Sequence, residues 1–372
     1  MAKTRPRSAT GLGAAEPGVG VILVVNAGST SLKLHAVEAD AKSTRVESFA
    51  DVPPGIDAVA HRVVHGGPRF RDPVVIDKEV RDQIQDLVSL APLHNAPALE
   101  AIDAAQQALP HVPHVAVFDT SFHRTIPAEA AEYALPPAWR EQWGIRRYGF
   151  QGLSVEWCAQ RVPELLGHPV DRLVVCHLGG GSSVTAVLAG RSVDTTMGFT
   201  PLEGVPMTTR SGSIDPGALL YVLREGHLDL DTLDHALNFD SGVKGLAGGD
   251  GGMIEVERLA ASGDAAAGLA LEVMVHRLAG AVAAMAASAG GLDAVAFTAG
   301  IGEGSALVRA RLSARLGFLG VDLDADKNQN AIPDCDIATK SSPIRILVVR
   351  AREELIAARA VRLLLSSDGE RA

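Results

Sequence analysis

Cysteine is scarce. The three residues, Cys158, Cys176 and Cys335, lie far apart and show no metal-binding spacing. They fit free thiols in a reducing compartment, so the expected location is the cytoplasm. No run of about 18 uncharged apolar residues is present to span a membrane. The nearest stretch, residues 265–290, carries Glu272, His276 and Arg277 and reads as a long Ala-rich helix packed inside the protein. Positive charge is also short. The 34 Lys and Arg residues against 44 Asp and Glu give a net charge of −10, which disfavours nucleic-acid partners. Any anion must therefore be handled by a few locally placed cations. Residues 1–19 contain basic residues but no hydrophobic stretch behind them, and read as a flexible tail rather than a secretory signal. Three catalytic signatures are missing as well: a Walker loop ending in Gly-Lys-Ser/Thr, the His-Glu-x-x-His of zinc proteases, and the Gly-x-Ser-x-Gly elbow of serine hydrolases.

What is present is glycine at the ends of apolar strands. In VILVVNAGSTSLKLHAV (21–37) a strand runs into Asn26, a glycine, three hydroxyls and Lys33. Asn and Gly suit a hairpin turn. The hydroxyls and the lysine go beyond that need and read equally as donors for an anion. LVVCHLGGGSSVTAVLAG (173–190) repeats the arrangement, with its Gly-Ser pair 153 positions after the first. Two such hairpins, each opening about half of a 372-residue chain, indicate a duplicated α/β fold with two lobes. A third segment, DAVAFTAGIGEGSALVRARL (293–312), ends a strand at Thr298 and passes through a glycine-rich turn into a helix that Ser305 can cap.

Charged groups gather where strands stop, the usual place for sites in open α/β sheets. Arg62 lies within AVAHRVVHGG (58–67), Asp119 ends the strand in VAVFDTSFHRTIP (115–127), and Arg210 sits in a loop with Glu203 and Asp215. A buried arginine needs either a ligand or an internal partner, and an Arg62–Asp119 ion pair is the plain alternative to a substrate site. His61, His65 and His94 read as structural or supporting residues rather than metal ligands.

The ordered motifs NAGSTSLK (26–33), HRVVHGG (61–67), APLHN (91–95), FDTSFHRTIP (118–127), IRRYGF (145–150), HLGGGSS (177–183), DTTMGFTPLEGVPMTTRSG (194–212), GIGEGS (300–305) and EEL (353–355) resemble the acetate kinase family, part of the acetate and sugar kinase, heat-shock 70 and actin superfamily. The resemblance implies a duplicated ribonuclease H-like, actin-like ATPase fold with a cleft between its lobes. After the 1–19 tail, it implies a first lobe of 20–148 plus 352–372 and a second of 149–351. The implied reaction is reversible phosphoryl transfer from ATP to acetate, with Mg²⁺ or Mn²⁺, by a cytoplasmic homodimer that needs neither nucleic acid nor membrane.

By the same resemblance, Asn26 and Glu353 hold the metal, Arg62 binds the acid, and Asp119 and Arg210 are catalytic. Val64, Leu93, Phe150 and Pro201 form the pocket for the acid's methyl group. Lys33, His177, Leu178, Gly179, Gly180, Gly181, Gly300, Ile301, Gly302, Glu303 and Gly304 serve the nucleotide. A pocket of this kind discriminates one methylene by only ~1–3 kcal/mol, so propionate is an alternative acceptor.

The chain departs from the family pattern at several positions. Gln151 stands where the family has a catalytic histidine; it keeps a hydrogen-bond donor but never carries a positive charge. Gly180 and Gly304 replace asparagines, and Ala351-Arg352 replaces Thr-Asn. Within AGGDGGMIEV (247–256), Gly252 and Ile254 stand at the positions of an Asp and an Arg that contact the nucleoside. These changes leave open pyrophosphate or another nucleotide as donor, and a catalytically weak sensor of nucleotide or acyl phosphate as the reading from another class.

Overall fold

The computed structural model describes residues 20–28 and 32–369. The proposed tail 1–19, the hydroxyl run Ser29–Ser31 and residues 370–372 lie outside the described residues. Among the described residues are two six-stranded sheets of matching topology. The first contains β1 (Val21–Ala27), β2 (Leu32–Val37), β3 (Ser43–Val46), β4 (Ile56–Val63), β5 (Val74–Val75) and β6 (His114–Phe118), ordered β3-β2-β1-β4-β6-β5. The second contains β7 (Arg172–Leu178), β8 (Ser182–Leu188), β9 (Arg191–Thr195), β10 (Ala294–Thr298), β11 (Cys335–Asp336) and β12 (Arg345–Val348), ordered β11-β12-β10-β7-β8-β9.

In each sheet a three-stranded antiparallel meander joins parallel strands, and a short antiparallel strand closes the far edge. The two Gly/Ser hairpins of the sequence are β1–β2 and β7–β8. The chain thus has the duplicated two-lobed α/β fold.

Strand periodicity explains how the layers assemble. Along β1, Ile22 and Val24 face one core, while Leu23, Val25 and Ala27 face another. The core between the sheets holds two helices, Gly152–Leu166 and Glu353–Gly369, packed on residues of both sheets such as Ala58, Val115, Leu173 and Ala296. The outer face of the first sheet is covered by helix Pro92–Ala108 through Leu99, Ala101, Ile102 and Ala105.

The outer face of the second sheet is covered by the 24-residue helix Ala265–Ser288, whose N-terminus is capped by the Asp264 side chain accepting the N–H of Ala267 (2.8 Å). This is the long Ala-rich segment, and by length and composition alone it would pass for a membrane span. Here Leu271, Met274, Leu278 and Val282 pack it onto the sheet. Helix Glu353–Gly369 follows the end of β12 yet packs on β1, β2, β4 and β6, carrying its first turn from one lobe to the other.

The start of helix Gly152–Leu166 is fixed by a close approach. The Gly152 N–H donates to the Asp119 carbonyl at 3.0 Å, and a Cβ on Gly152 would fall 2.1 Å from that oxygen. The contact is with backbone, so no side chain can move aside. Gly152→Ala is expected to lower stability by roughly 1–3 kcal/mol and to displace Asp119. Urea unfolding checks this; an unchanged midpoint would show that the contact is not tight.

Candidate active site

Parallel register brings three polar residues to one end of the first sheet. Asn26 on β1 pairs with Arg62 on β4. Asp119 directly follows β6, its N–H donating to the Val63 carbonyl at 3.0 Å. In the second sheet, His177 on β7 pairs with Thr298 on β10, and β12 leads to Ala351 and Glu353. These ends enclose a cavity of about 430 Å³. The expected residues lining it are Asn26, Lys33, Arg62, Val64, Asp119, Phe150, Gln151, His177, Gly179, Gly180, Gly181, Pro201, Arg210, Gly300, Glu303 and Glu353.

Arg62 makes three hydrogen bonds within the protein. Its Nε and Nη2 donate to the two Asp119 oxygens at 2.9 and 2.5 Å, and Nη1 donates to Asn26 Oδ1 at 3.0 Å. Asp119 is 1% exposed and Arg62 17%. Burial opposes the guanidinium charge, but Asp119 and Glu353 outweigh it and raise the Arg62 pKa. The internal ion pair that the sequence left open is therefore present, and its outer face still borders the cavity.

Arg210, on the facing loop, is held differently. Its Nη1 donates to the Pro201 carbonyl (3.2 Å) and approaches Met207 Sδ (3.7 Å), while Nη2 donates to His94 Nε2 (3.2 Å). Among the described residues it has no carboxylate partner. Burial lowers its pKa, as expected for a cation with nothing of opposite charge beside it. His94 is kept neutral, its pKa pushed down to about 4 by burial and then by Arg210 and Arg62. Gln151 adopts a left-handed backbone (φ 61°) and accepts a hydrogen bond from Ser183 Oγ at 2.6 Å.

Glu353 faces Asn26, whose Nδ2 donates to its Oε2 at 3.4 Å. Burial alone would raise this carboxyl's pKa, but Arg62, His177, Lys33 and the Asn26 hydrogen bond together lower it, so it is anionic at neutral pH. Glu303 has a structural task too: its Oε1 accepts the N–H groups of Ala299 (3.1 Å) and Ala351 (2.9 Å), tying two loop segments together.

The glycine-rich segment after Thr298 differs from the open turn expected. Ala299–Gly304 is a short helix, and Ser305 caps the next one, Ala306–Arg315, by accepting the Val308 N–H at 2.9 Å. Four expected nucleotide residues do not line the cavity. Strand alternation turns Leu178 into the core beneath it. Ile301 packs on the same core, and Gly302 is buried, the carbonyls of Gly302 and Glu303 accepting from Arg309 Nη1 at 2.9 and 2.8 Å. Gly304 ends the short helix away from the cavity. Nor does any residue of 247–256 line it, and Ile254 is 89% exposed in the first turn of helix Met253–Ala261.

Val64 and Phe150 form a small apolar cluster with Met197 and Met207. Leu93 lies in helix Pro92–Ala108, and its side chain is outside the described residues. Sequence reasoning missed Met197 and gave His94 no specific partner, although both fall within recognised motifs. An apolar or histidine side chain there reads by default as packing.

A model of the Acetokinase family matches residues 51–359. An acetate kinase from Synechococcus sp. (strain JA-2-3B'a(2-13)) is 50% identical over 315 residues, covering 84% of this chain and 78% of the relative. Two solved structures share the fold. A propionate kinase from Francisella tularensis subsp. tularensis SCHU S4 has a TM-score of 0.85 at 36% identity, over 92% of this chain and 98% of its own. Porphyromonas gingivalis acetate kinase has a TM-score of 0.83 at 30% identity, over 93% and 100%.

Removing Arg62 alone leaves Asp119 buried without its cation. Arg62→Ala is expected to destabilise by about 3–5 kcal/mol, and adding Asp119→Asn should recover part of the loss. Additive losses in urea unfolding would contradict the pairing.

The histidines set a pH dependence. Burial pushes His61 to about 3, helped by His114, and His65, His94 and His123 each to about 4, from 6.5. Between about 4 and 6.5 the unfolded chain therefore binds protons that the native state does not. Stability should be fully present above pH 6.5 and fall as pH drops, by up to roughly 1.4 kcal/mol per pH unit for each histidine. Denaturation midpoints at pH 5, 6 and 7 check this, and a flat profile would contradict it.

Proposed function

This chain belongs to the acetokinase family, and from that premise we infer how its cleft carries out the family reaction. The function is that of an acetate kinase, a phosphotransferase with a carboxyl group as acceptor, acting on acetate and ATP. The observation that carries the assignment of roles is the contrast between the two arginines. Arg62 is already neutralised by Asp119. Arg210 is half-buried, has only neutral partners among the described residues, and is the cation that awaits an anion.

We assign the transferring phosphoryl group to Arg210 and Gln151, and the acid to the outer face of Arg62. An acetate oxygen forms the new bond to the γ-phosphorus, the bond to the ADP oxygen breaks, and its electron pair leaves with ADP. Because acetate arrives ionised, no proton has to be removed from it. Asp119 is thus read as the residue that orients Arg62 rather than as a base. A loose phosphoryl-transfer transition state asks mainly for positioning and charge neutralisation; Arg62 is read as positioning the acid and Arg210 as neutralising the phosphoryl charge.

Val64, Phe150, Met197 and Pro201 would bound the acid's alkyl group. The difference of one methylene is small enough that propionate should be a slower substrate. His177, Lys33 and the glycines at 179–181 and 300 are assigned to the nucleotide phosphates.

The donor set suits Mg²⁺: Glu353 offers one half-buried anionic carboxylate, and Asn26 Oδ1 keeps a lone pair beyond the one taken by Arg62. Mg²⁺ is commonly held by one or two carboxylates together with substrate phosphates. When bound, the ion neutralises charge on the phosphate oxygens.

We also propose the lobe boundaries 20–148 plus 352–372 and 149–351, supported by the division of β1–β6 from β7–β12. A homodimer is supported by Leu220, Tyr221 and Leu230, exposed on helices Pro216–Glu225 and Leu230–Phe239. A cytoplasmic location fits three unpaired thiols, two of them buried.

The test is acetyl phosphate formation from acetate and Mg²⁺ with ATP or pyrophosphate. Turnover with ATP is expected, and turnover with pyrophosphate alone would overturn the donor assignment. Arg210→Ala should lower kcat by about 10³-fold or more with little change in Tm. Near-normal turnover would remove Arg210 from the chemistry.

A further inference from the structure

We propose that Ser183 is a positioning residue that fixes which end of the Gln151 carboxamide faces the cleft. The inference rests on the reading that Gln151 donates to the transferring phosphoryl group. A carboxamide is nearly symmetric in shape but opposite in chemistry at its two ends: one oxygen that accepts and one NH₂ that donates. An anion between Arg210 and Gln151 is served by only one of the two orientations.

The packing around Gln151 selects that orientation. Its backbone is held in the left-handed region at the entry to helix Gly152–Leu166, and its carbonyl accepts the Val155 N–H at 3.1 Å, so the side chain leaves from a fixed base. Ser183 lies on β8 opposite His177 and is fully buried. Its hydroxyl donates to Gln151 Oε1 at 2.6 Å, and among the described residues this oxygen is the acceptor it meets.

With Oε1 turned to Ser183, Nε2 is the end left toward the cavity. A Cβ placed on Gly181 would lie 3.3 Å from Gln151 Nε2 and 3.3 Å from Arg210 Nη1, so the two donors flank one point above that glycine. In the flipped amide Nε2 would donate to the Ser183 oxygen, the buried hydroxyl proton would lose the acceptor it meets among the described residues, and a carbonyl oxygen would face the incoming anion. The serine thus turns a residue of either polarity into a donor, and the donor is neutral at every working pH.

The experiment compares kcat, KM for acetate and ATP, and Tm for the full-length protein and the variants Gln151→Ala, Ser183→Ala, their double variant, Ser183→Thr and Gln151→Glu. Ser183→Ala is expected to lower kcat about 10-fold, less than outright removal of a donor, with both KM values within about twofold. Ser183→Thr keeps the hydroxyl on a strand position that suits a β-branched residue, and should restore most of the rate. In the Gln151→Ala background the serine change should have no further effect.

Gln151→Glu should be slower than Gln151→Ala, because Ser183 would hold one oxygen and the other would face the phosphoryl group. This comparison does not depend on Ser183→Ala folding. If Gln151→Ala is slow but Ser183→Ala is normal, the positioning role fails while the reading of Gln151 survives. The positioning role fails in the same way if the Ser183→Ala loss persists without Gln151. If Gln151→Ala is normal, the underlying reading fails and the positioning role with it.

Discussion

One half-buried guanidinium organises this molecule. Arg62 sits in a β-strand, a position where its charge is tolerated only if it is met from several sides. Asp119 meets it with both oxygens and Asn26 with its amide oxygen, each from the end of a neighbouring strand. Glu353 adds its charge from the helix that crosses over from the second sheet. The parallel registers of β1, β4 and β6 are what make this meeting possible, and Gly152 packed under the Asp119 carbonyl holds the arrangement from below.

With Arg62 satisfied, the electrostatic asymmetry of the cleft follows. Arg210 is surrounded by a carbonyl, a thioether and a neutral imidazole, all of which orient a guanidinium without cancelling its charge. One arginine is thereby committed to the protein and only partly to a ligand, whereas the other is committed to orientation alone. For the proposed phosphoryl transfer between two anions this division is favourable, since a cation already neutralised stabilises developing charge poorly. His94 contributes by staying unprotonated: a second positive charge there would repel Arg210 from its place.

Much of the cavity lining was legible because it lies where strands end. Asn26, Arg62, Asp119 and His177 are polar residues interrupting or closing apolar runs, and their convergence follows from sheet topology. The repeated Gly/Ser hairpin likewise announced the duplication. Other features depend on contacts that no local pattern encodes. Glu303 reads as part of a phosphate loop, yet its carboxylate caps two backbone segments far apart in sequence. The glycines around it permit a helical turn, not only an open loop. Leu178 was in principle readable as inward-facing, because strand alternation opposes it to His177. The pairing of Gln151 with Ser183 joins a helix entry to a strand 32 residues on. Only the folded register reveals it.

We propose that the arginines divide the labour, with the transferring phosphoryl group on Arg210 and not on Arg62. A crystal structure of the protein with ADP, Mg²⁺, acetate and aluminium fluoride as a planar phosphoryl mimic would decide it. The mimic should be held between the Arg210 guanidinium and Gln151 Nε2, with Arg62 still forked onto Asp119 and touching the acetate. A mimic bound by an Arg62 that has left Asp119, with Arg210 turned away, would refute that assignment.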